Sequence, residues 1–124
     1  MSILQIAENF FWPCDEGKGW EACRKYCHDN ASFETEAESL AEVSTLKDYV
    51  EWMVEVHTMM TDITFEIKAM AEDTNRNTVL IYAVFNGLIA LETSPQPFKT
   101  DYVYAITFKE EKISHVAKIW YLKI

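Results

Sequence analysis

The feature that most constrains the fold of this chain is a change of hydrophobic period near residue 62. Residues 46–60 place their apolar side chains at helical spacing, whereas apolar and polar residues alternate with a period of two from residue 62 onward. The first pattern is typical of an amphipathic helix and the second of a half-buried strand. Because strand patterns then continue along the chain, the sequence predicts helices early and neighbouring strands late, which is the order of an α+β domain.

The amino-terminal part of the chain predicts two short helices. The first begins after Ser2, which fits a capping box with Gln5, and we expect it to end at Pro13 because proline cannot continue a helix ladder. The second spans residues 20–27, with an apolar face, and we expect it to end at the turn-prone residues 28–30.

A short strand and a longer helix follow. Residues 31–35 predict the strand, and Thr45, with Asp48 three positions later, predicts the start of the third helix. A histidine lies within the apolar stripe of this helix. The stripe consists of Leu46, Tyr49, Val50, Met53, Val56, His57 and Met60.

Four strands are predicted after the period change. The first begins at residue 62 and ends before a turn at 73–77. The second, at 78–91, is apolar on both faces, which indicates a long central strand that is covered on each side. The remaining predicted elements are strands at 100–108 and 113–122, joined by a charged turn at 109–112.

Residues 1–124 contain no repeat, linker or low-complexity segment, so we expect a single domain. One face of the long apolar strand can pack on the helices, but its outer face also needs cover. A second copy of the chain is the simplest cover, and we therefore expect a homodimer through the outer face of the sheet.

Composition argues against several classes of partner. Twenty acidic residues against 11 basic ones give a net charge of −9, and no basic cluster is present that could neutralise phosphates, so we expect no nucleic acid. No apolar run approaches the roughly 20 residues that span a bilayer, and the amino terminus lacks a basic start, so we expect no membrane association and a cytoplasmic location.

The three cysteines are expected to be reduced thiols, because a secreted disulfide framework would usually use an even number. Cys23, Cys27 and His28 could suggest a metal site, yet no second Cys/His pair supplies the remaining ligands that zinc needs. We therefore expect neither a metal nor a cofactor.

Three segments carry a resemblance to a known family: ASFETEAESLAEVSTLKDYVEWM, TDYVYAITF and KISHVAKIWYL. Together they resemble the SnoaL-like polyketide cyclase family, within the superfamily typified by nuclear transport factor 2 and ketosteroid isomerase. The resemblance covers nearly the whole chain. It implies a cone in which a strongly curved, mostly antiparallel sheet packs on three N-terminal helices around a deep apolar pocket. The element order read from the residues, ααβαββββ, agrees with it.

The same resemblance implies two places for a catalytic carboxylate, and both are neutral in this chain. The last strand is similar to the family pattern HMTKxWND, but Leu122 stands where the pattern has its closing aspartate, the implied base. Ketosteroid isomerase-like relatives carry their catalytic aspartate at the end of the first strand, where this chain has Thr35. A threonine hydroxyl is far too weak an acid to act as a carboxylate base.

If the family's aspartate position, Leu122 in this chain, faces the pocket, strand alternation also turns Trp120, Lys118 and Val116 inward. By correspondence with the isomerases, Tyr104 also faces inward, with Tyr102 on the same face. We expect Glu34 to lie on the opposite face. The predicted pocket residues are Tyr102, Tyr104, Trp120, Val116, Leu122, Met53 and Met60.

Two residues are candidates for catalysis. Lys118 in an apolar pocket should have a lowered pKa and could bind an anion, hold an enolate or attack a carbonyl; alternatively, it pairs with Asp101 or Glu66. His57 could act as a general acid or base, or could be a hydrogen-bonded core residue.

The sequence therefore leaves three functions open. The first is a cofactor-free cyclase, isomerase or dehydratase that acts on an apolar carbonyl compound. The second is a pocket that binds a small apolar or aromatic ligand without transforming it. The third is a dimeric interaction module whose interior is filled by its own side chains.

Overall fold

A computed structural model describes residues 1–90 and 94–120, and it has the α+β architecture and the ααβαββββ order that the sequence predicts. The helices are α1 (Ile3–Asp15), α2 (Trp20–Cys23) and α3 (Leu46–Met59). The strands are β1 (Cys27–Thr35), β2 (Met60–Asp73), β3 (Thr78–Ile89), β4 (Gln96–Lys109) and β5 (Lys112–Trp120).

Helix α1 begins as predicted and ends later than predicted. The Ser2 hydroxyl accepts a hydrogen bond from the Gln5 backbone N–H at 3.2 Å, which caps the helix. The predicted end at Pro13 is wrong, because the helix continues to Asp15 and the Glu16 N–H closes its last turn on the Trp12 carbonyl at 2.9 Å. Pro13 removes one donor near the helix end, and the buried residues after it outweigh that loss.

Helix α2 is shorter than predicted, and residues 28–30 belong to β1 instead of a turn. A 3₁₀ turn, Arg24–Tyr26, separates α2 from the strand. Cys27 pairs with Ile113 of β5, and the register then shifts before Ser32. The turn-prone residues thus occupy an irregular stretch of a strand, because the pairing with β5 on either side of them prevails over their local preference.

The five strands form one sheet in the order β1-β5-β4-β3-β2, with β1 and β5 parallel and the other pairs antiparallel. Register shifts within the β2–β3 and β4–β5 pairs accompany the curvature of the sheet. In a continuous row across three strands, Ile81 lies opposite Tyr104, which lies opposite Lys118.

The helices cover the inner face of the sheet. Helix α3 is capped by Thr45, whose hydroxyl accepts from the Asp48 N–H at 3.1 Å, as predicted. The fully buried core joins side chains of all layers: Phe10, Phe11, Leu46, Tyr49, Val50, Val79, Ile81, Tyr104, Ile106, Ile113 and Val116.

Within the described part of the single chain, the outer face of β3 is not covered. Its side chains Leu80 and Tyr82 remain 44% and 38% exposed. Throughout residues 1–90 and 94–120, every helix falls short of the length and apolar character needed to cross a membrane.

Candidate active site

A cavity of about 290 Å³ lies between α3 and the inner face of the sheet, and we call it the apolar cavity. Its walls are mainly aliphatic, thioether and aromatic side chains. Among the described residues, Lys118 is the only charged member of the lining. The lining residues are Ser39, Trp52, Met53, Val56, Met59, Met60, Phe85, Ile89, Phe98, Thr100, Lys118 and Trp120.

Lys118 is held at this wall by aromatic rings. It is only 4% exposed, because the alternation of β5 turns its side chain inward together with those of Val116 and Trp120. Its Nζ lies 3.8 Å from the centre of the Trp120 ring and 4.7 Å from the centre of the Tyr102 ring. These are cation–π distances, so the rings partly replace the water that the ammonium has lost.

The same Nζ donates a hydrogen bond to the Tyr49 hydroxyl at 2.9 Å. Tyr49 projects from α3, and its ring stacks on Phe33 of β1 with centroids 4.2 Å apart, which orients the hydroxyl toward β5. The two partners proposed from the sequence are engaged elsewhere: Asp101 accepts from Tyr82, and Glu66 pairs with Lys68.

A buried carboxylate lies at the other end of this hydrogen-bonded group. Asp15, the last residue of α1, is 1% exposed. Tyr104 donates to its Oδ1 at 2.8 Å, and Tyr102 donates to its Oδ2. The hydroxyls of Tyr49 and Tyr104 also form a hydrogen bond with each other. A continuous path of hydrogen bonds therefore joins Lys118 to Asp15.

Burial shifts the pKa of both charged groups. Loss of solvation lowers the pKa of Lys118 to about 8, although the negative charge of Asp15 opposes this shift. Loss of solvation raises the pKa of Asp15, which the Lys118 charge and the two tyrosine hydroxyls oppose. Burial also raises the pKa of Tyr49 and of Tyr104 well above the ordinary value, so both phenols stay neutral.

Sequence reasoning missed Asp15, although a signal for it exists. The predicted end of α1 at Pro13 placed Asp15 outside the helix. When the helical period is continued through the proline, Asp15 falls four residues after Phe11 and eight after Ala7, on the buried face. A carboxylate on the apolar stripe of a helix is unusual unless it has partners, and here two tyrosines provide them.

Of the two positions where the family resemblance implied a base, Thr35 lies in the described residues. Thr35 is half-buried at the end of β1, where its hydroxyl donates to the Lys118 carbonyl at 2.9 Å and accepts from Trp120 Nε1 at 2.9 Å. Thr35 therefore orients the Trp120 ring, which Lys118 Nζ contacts. Leu122 lies outside the described residues.

The other predicted residues fall into two groups. Met53, Met60 and Trp120 line the apolar cavity together with Lys118. Tyr102, Tyr104 and Val116 are buried on the inner face but are absent from the lining that the described residues form.

His57 is placed away from the apolar cavity. Its Nε2 lies 2.8 Å from the Asp15 carbonyl oxygen, and its ring packs on Gly17. Outside the cavity, His115 contacts Ser32 and the exposed Glu34 on the outer face, which is the face expected for Glu34.

Cysteine and carboxylate side chains do not assemble into a metal site in the described part of the chain. Cys14, Cys23 and Cys27 are buried and free. No group of three or more His, Cys, Asp or Glu side chains within these residues has a metal-binding arrangement.

Comparisons with known proteins agree with this architecture. The family model described as a SnoaL-like domain matches residues 9–116. A comparison with curated protein sequences found no significant match.

Solved structures show the same fold at low sequence identity. A nuclear transport factor 2-like protein from Burkholderia thailandensis has a TM-score of 0.76 and 15% identity, covering 98% of this chain and 92% of that one. A SnoaL-like polyketide cyclase candidate from Shewanella denitrificans has a TM-score of 0.73 and 12% identity, covering 96% and 90%.

A third similar structure carries a ligand. It is a protein of ketosteroid isomerase-like fold from Catenulispora acidiphila in complex with trimethylamine, with a TM-score of 0.70 and 16% identity, covering 97% of this chain and 86% of that one. At these identities the likeness shows the fold alone.

Proposed function

This chain belongs to the SnoaL-like domain family, and we propose that it binds a small apolar carbonyl compound and moves a proton beside that carbonyl without a cofactor. The observation that carries the proposal is the position of Lys118, a buried amine at the wall of a cavity whose lining is otherwise uncharged in the described residues. A single polar group in an apolar cavity can orient a ligand that has one polar atom.

The proposed chemistry uses both protonation states of Lys118. The neutral amine removes a proton from the carbon next to the carbonyl, and the electrons of that C–H bond move toward the carbonyl oxygen to form an enolate. The resulting ammonium stabilises the enolate and returns the proton to another carbon, which isomerises the compound. A pKa of about 8 suits this role, because both forms of the amine are populated near neutral pH.

Asp15 acts on Lys118 through its charge and takes no direct part in this scheme. Its carboxylate oxygens accept hydrogen bonds from Tyr102 and Tyr104, so neither oxygen faces the apolar cavity as a free base. Its negative charge raises the pKa of Lys118 against the effect of burial, which keeps a protonated fraction of the lysine. Asp15 is therefore a positioning residue.

The test is proton exchange with solvent. Small apolar ketones and enones are incubated with the protein in D₂O, and deuterium incorporation beside the carbonyl is followed by NMR. We expect Lys118→Met to reduce exchange about 100-fold or more, as for loss of a general base. Lys112→Met is the matched control, because Lys112 is an exposed lysine of the same strand. Equal exchange in Lys118→Met and the control would contradict the proposal.

A second function, ligand binding without reaction, is favoured by one observation. Within the described residues, no carboxylate lines the apolar cavity. The family resemblance implied an aspartate base at two positions, which are Thr35 and Leu122 in this chain. A carrier or sensor needs only the concave apolar wall and a polar anchor. Under this alternative, carbonyl compounds change the tryptophan fluorescence, Trp120→Phe removes most of that change, and no deuterium is incorporated.

The assembly and location belong to the same proposal. The exposed apolar side chains of the outer sheet face, Leu80, Tyr82 and Ile119, support a homodimer through that face. The free, buried thiols support a cytoplasmic location, where cysteines stay reduced. No nucleic acid, membrane, metal or cofactor takes part in the proposed reaction.

A further inference from the structure

We propose that Lys118 bonds covalently, as an imine, to the carbonyl carbon of small, uncharged aldehydes and ketones that enter the apolar cavity. This inference rests on the proposed function, since it concerns the same ligand class and the same cavity. It goes further because it makes the lysine a nucleophile and predicts a chemical adduct that can be trapped.

The directions of the hydrogen bonds leave the lone pair of the neutral amine unused. Tyr104 gives its proton to Asp15, so in the pair with Tyr49 it must accept. Tyr49 has then given its own proton to Tyr104, and its oxygen accepts from Lys118. Lys118 therefore meets the tyrosine with an N–H bond, and once it has lost its extra proton the lone pair remains free.

Aromatic rings surround Nζ, and one of them belongs to the apolar cavity. The Trp120 ring is 3.8 Å away, and the rings of Tyr102, Tyr49 and Tyr104 lie at 4.7, 5.2 and 5.5 Å. The three tyrosines are absent from the cavity lining that the described residues form, whereas Lys118 and Trp120 both belong to it. A carbonyl carbon held in the cavity thus has access to the nitrogen.

The chemistry of the wall favours capture of uncharged compounds. Apart from Lys118, the lining offers hydroxyl groups and apolar surface in the described residues, so a charged keto acid would lose its solvation without a full set of partners. Burial lowers the pKa of Lys118 to about 8, so a larger fraction of this amine is neutral than of an exposed lysine.

The step is balanced without any further reagent. The nitrogen lone pair attacks the carbonyl carbon while the electrons of the C=O π bond move to oxygen. A proton passes from nitrogen to that oxygen, which gives a carbinolamine. Loss of the hydroxyl with a proton releases one water and leaves the C=N double bond of the imine, so nothing is oxidised or reduced.

Reductive trapping tests the inference. The protein is incubated with cinnamaldehyde or octanal and sodium cyanoborohydride, and adducts are measured by intact mass and peptide mapping. Each trapped adduct adds the mass of the aldehyde without its oxygen. Because the neutral fraction of an amine grows about tenfold for each unit by which its pKa falls, we expect Lys118 to react about tenfold faster or more than exposed Lys112.

Two controls separate covalent capture from a structural effect. Lys118→Arg keeps a cation that cannot form an imine, and we expect it to lose the fast adduct while Lys112→Met retains it. Cinnamyl alcohol has the shape of the aldehyde but no carbonyl, so in the unmodified protein it should slow labelling of Lys118 and leave Lys112 unaffected. This second control does not depend on whether the arginine variant folds.

The outcomes distinguish this inference from the proposed function. Labelling of Lys112 and other exposed lysines without preferential labelling of Lys118 would overturn the imine, and deuterium exchange that persists in that case would leave the proposed function standing. Loss of both the adduct and the exchange, with no fluorescence response to carbonyl compounds, would overturn both. Fast, saturable labelling that cinnamyl alcohol blocks would support the imine.

Discussion

Asp15 and Lys118 lie at the two ends of one path of hydrogen bonds, which runs from the lysine ammonium through Tyr49 and Tyr104 to the carboxylate. They are also the two charged side chains that are buried in the described part of the chain. Removing one buried charge leaves the other without its compensation, so each residue sets the protonation of its partner.

Asp15→Asn is expected to lower the pKa of Lys118 below its value of about 8, because the carboxylate is the main influence that raises it. The variant also weakens the hydrogen bonds from Tyr102 and Tyr104, for a loss of about 1–3 kcal/mol in the free energy of unfolding. NMR titration of isotope-labelled lysine and urea unfolding measure the two effects. Glu16→Gln, at the exposed neighbouring position, is the control; a Lys118 pKa that is the same in both variants would refute the coupling.

The stability of the protein should depend on pH through Lys118. Its pKa is about 8 in the folded state against an ordinary value of 10.5, so in this interval the unfolded state binds more protons. The contribution of Lys118 to the free energy of unfolding therefore rises with pH above about 8 and is lost as the pH falls through that value. The buried tyrosines act in the opposite sense above their ordinary value of 10.0, because their pKa is raised.

Urea unfolding of the wild type and of Lys118→Met across this interval measures that contribution. The difference between their free energies of unfolding should shift in favour of the wild type as the pH rises from about 8 toward 10. Parallel pH dependences in the two proteins would mean that Lys118 has an ordinary pKa.

Thr35→Val is expected to lower the free energy of unfolding by about 1–2 kcal/mol. Buried Trp120 Nε1 of β5 loses its acceptor, and the Lys118 carbonyl loses a donor. Thr35→Ser keeps the hydroxyl and should lose much less. Urea unfolding compares the two variants. If serine and valine have equal effects, the methyl group of Thr35 matters more than its hydrogen bonds.

Gly17→Ala should disturb the contact between the end of α1 and His57. A Cβ at Gly17 would lie 2.6 Å from His57 Cδ2, and the ring is held by its contact with the Asp15 carbonyl. Gly17→Ala in a His57→Ala background is the matched control, because it keeps the positive φ of residue 17 (69°) and removes the ring that the new Cβ would meet. Thermal unfolding should show that Gly17→Ala costs about 1–3 kcal/mol more when His57 is present; equal losses in the two backgrounds would attribute the effect to φ alone.

Ile119→Asp should dissociate the proposed homodimer. Ile119 is 54% exposed and lies in a row across the sheet, opposite Val103, which lies opposite Tyr82. A charge in the middle of an apolar interface removes its hydrophobic contribution. Sedimentation equilibrium gives the mass, and Asn75→Asp, which adds the same charge at an exposed turn, serves as the control. A monomeric wild type, or a dimer unaffected by Ile119→Asp, would exclude this interface.

Much of the fold could be predicted because its signals are local. The helical spacing of α3, its cap at Thr45, the cap of α1 at Ser2 and the period-two strands after residue 62 depend on residues a few positions apart. The boundaries that were wrong are those where distant pairing or burial prevails over local preference. Residues 28–30 belong to β1 because the residues on either side of them pair with β5, and α1 runs past Pro13, where Cys14 and Asp15 are buried.

The sequence by itself determined which residues could face inward, including Lys118 and Trp120, and that both expected base positions are uncharged. Only the tertiary structure decided that Asp15 of α1 lies in the same hydrogen-bonded group as Lys118 of β5, with Tyr49 of α3 between them. The physical reason is that periodicity fixes the direction of a side chain relative to its own element, whereas solvation and charge pairing depend on what the other elements bring against it.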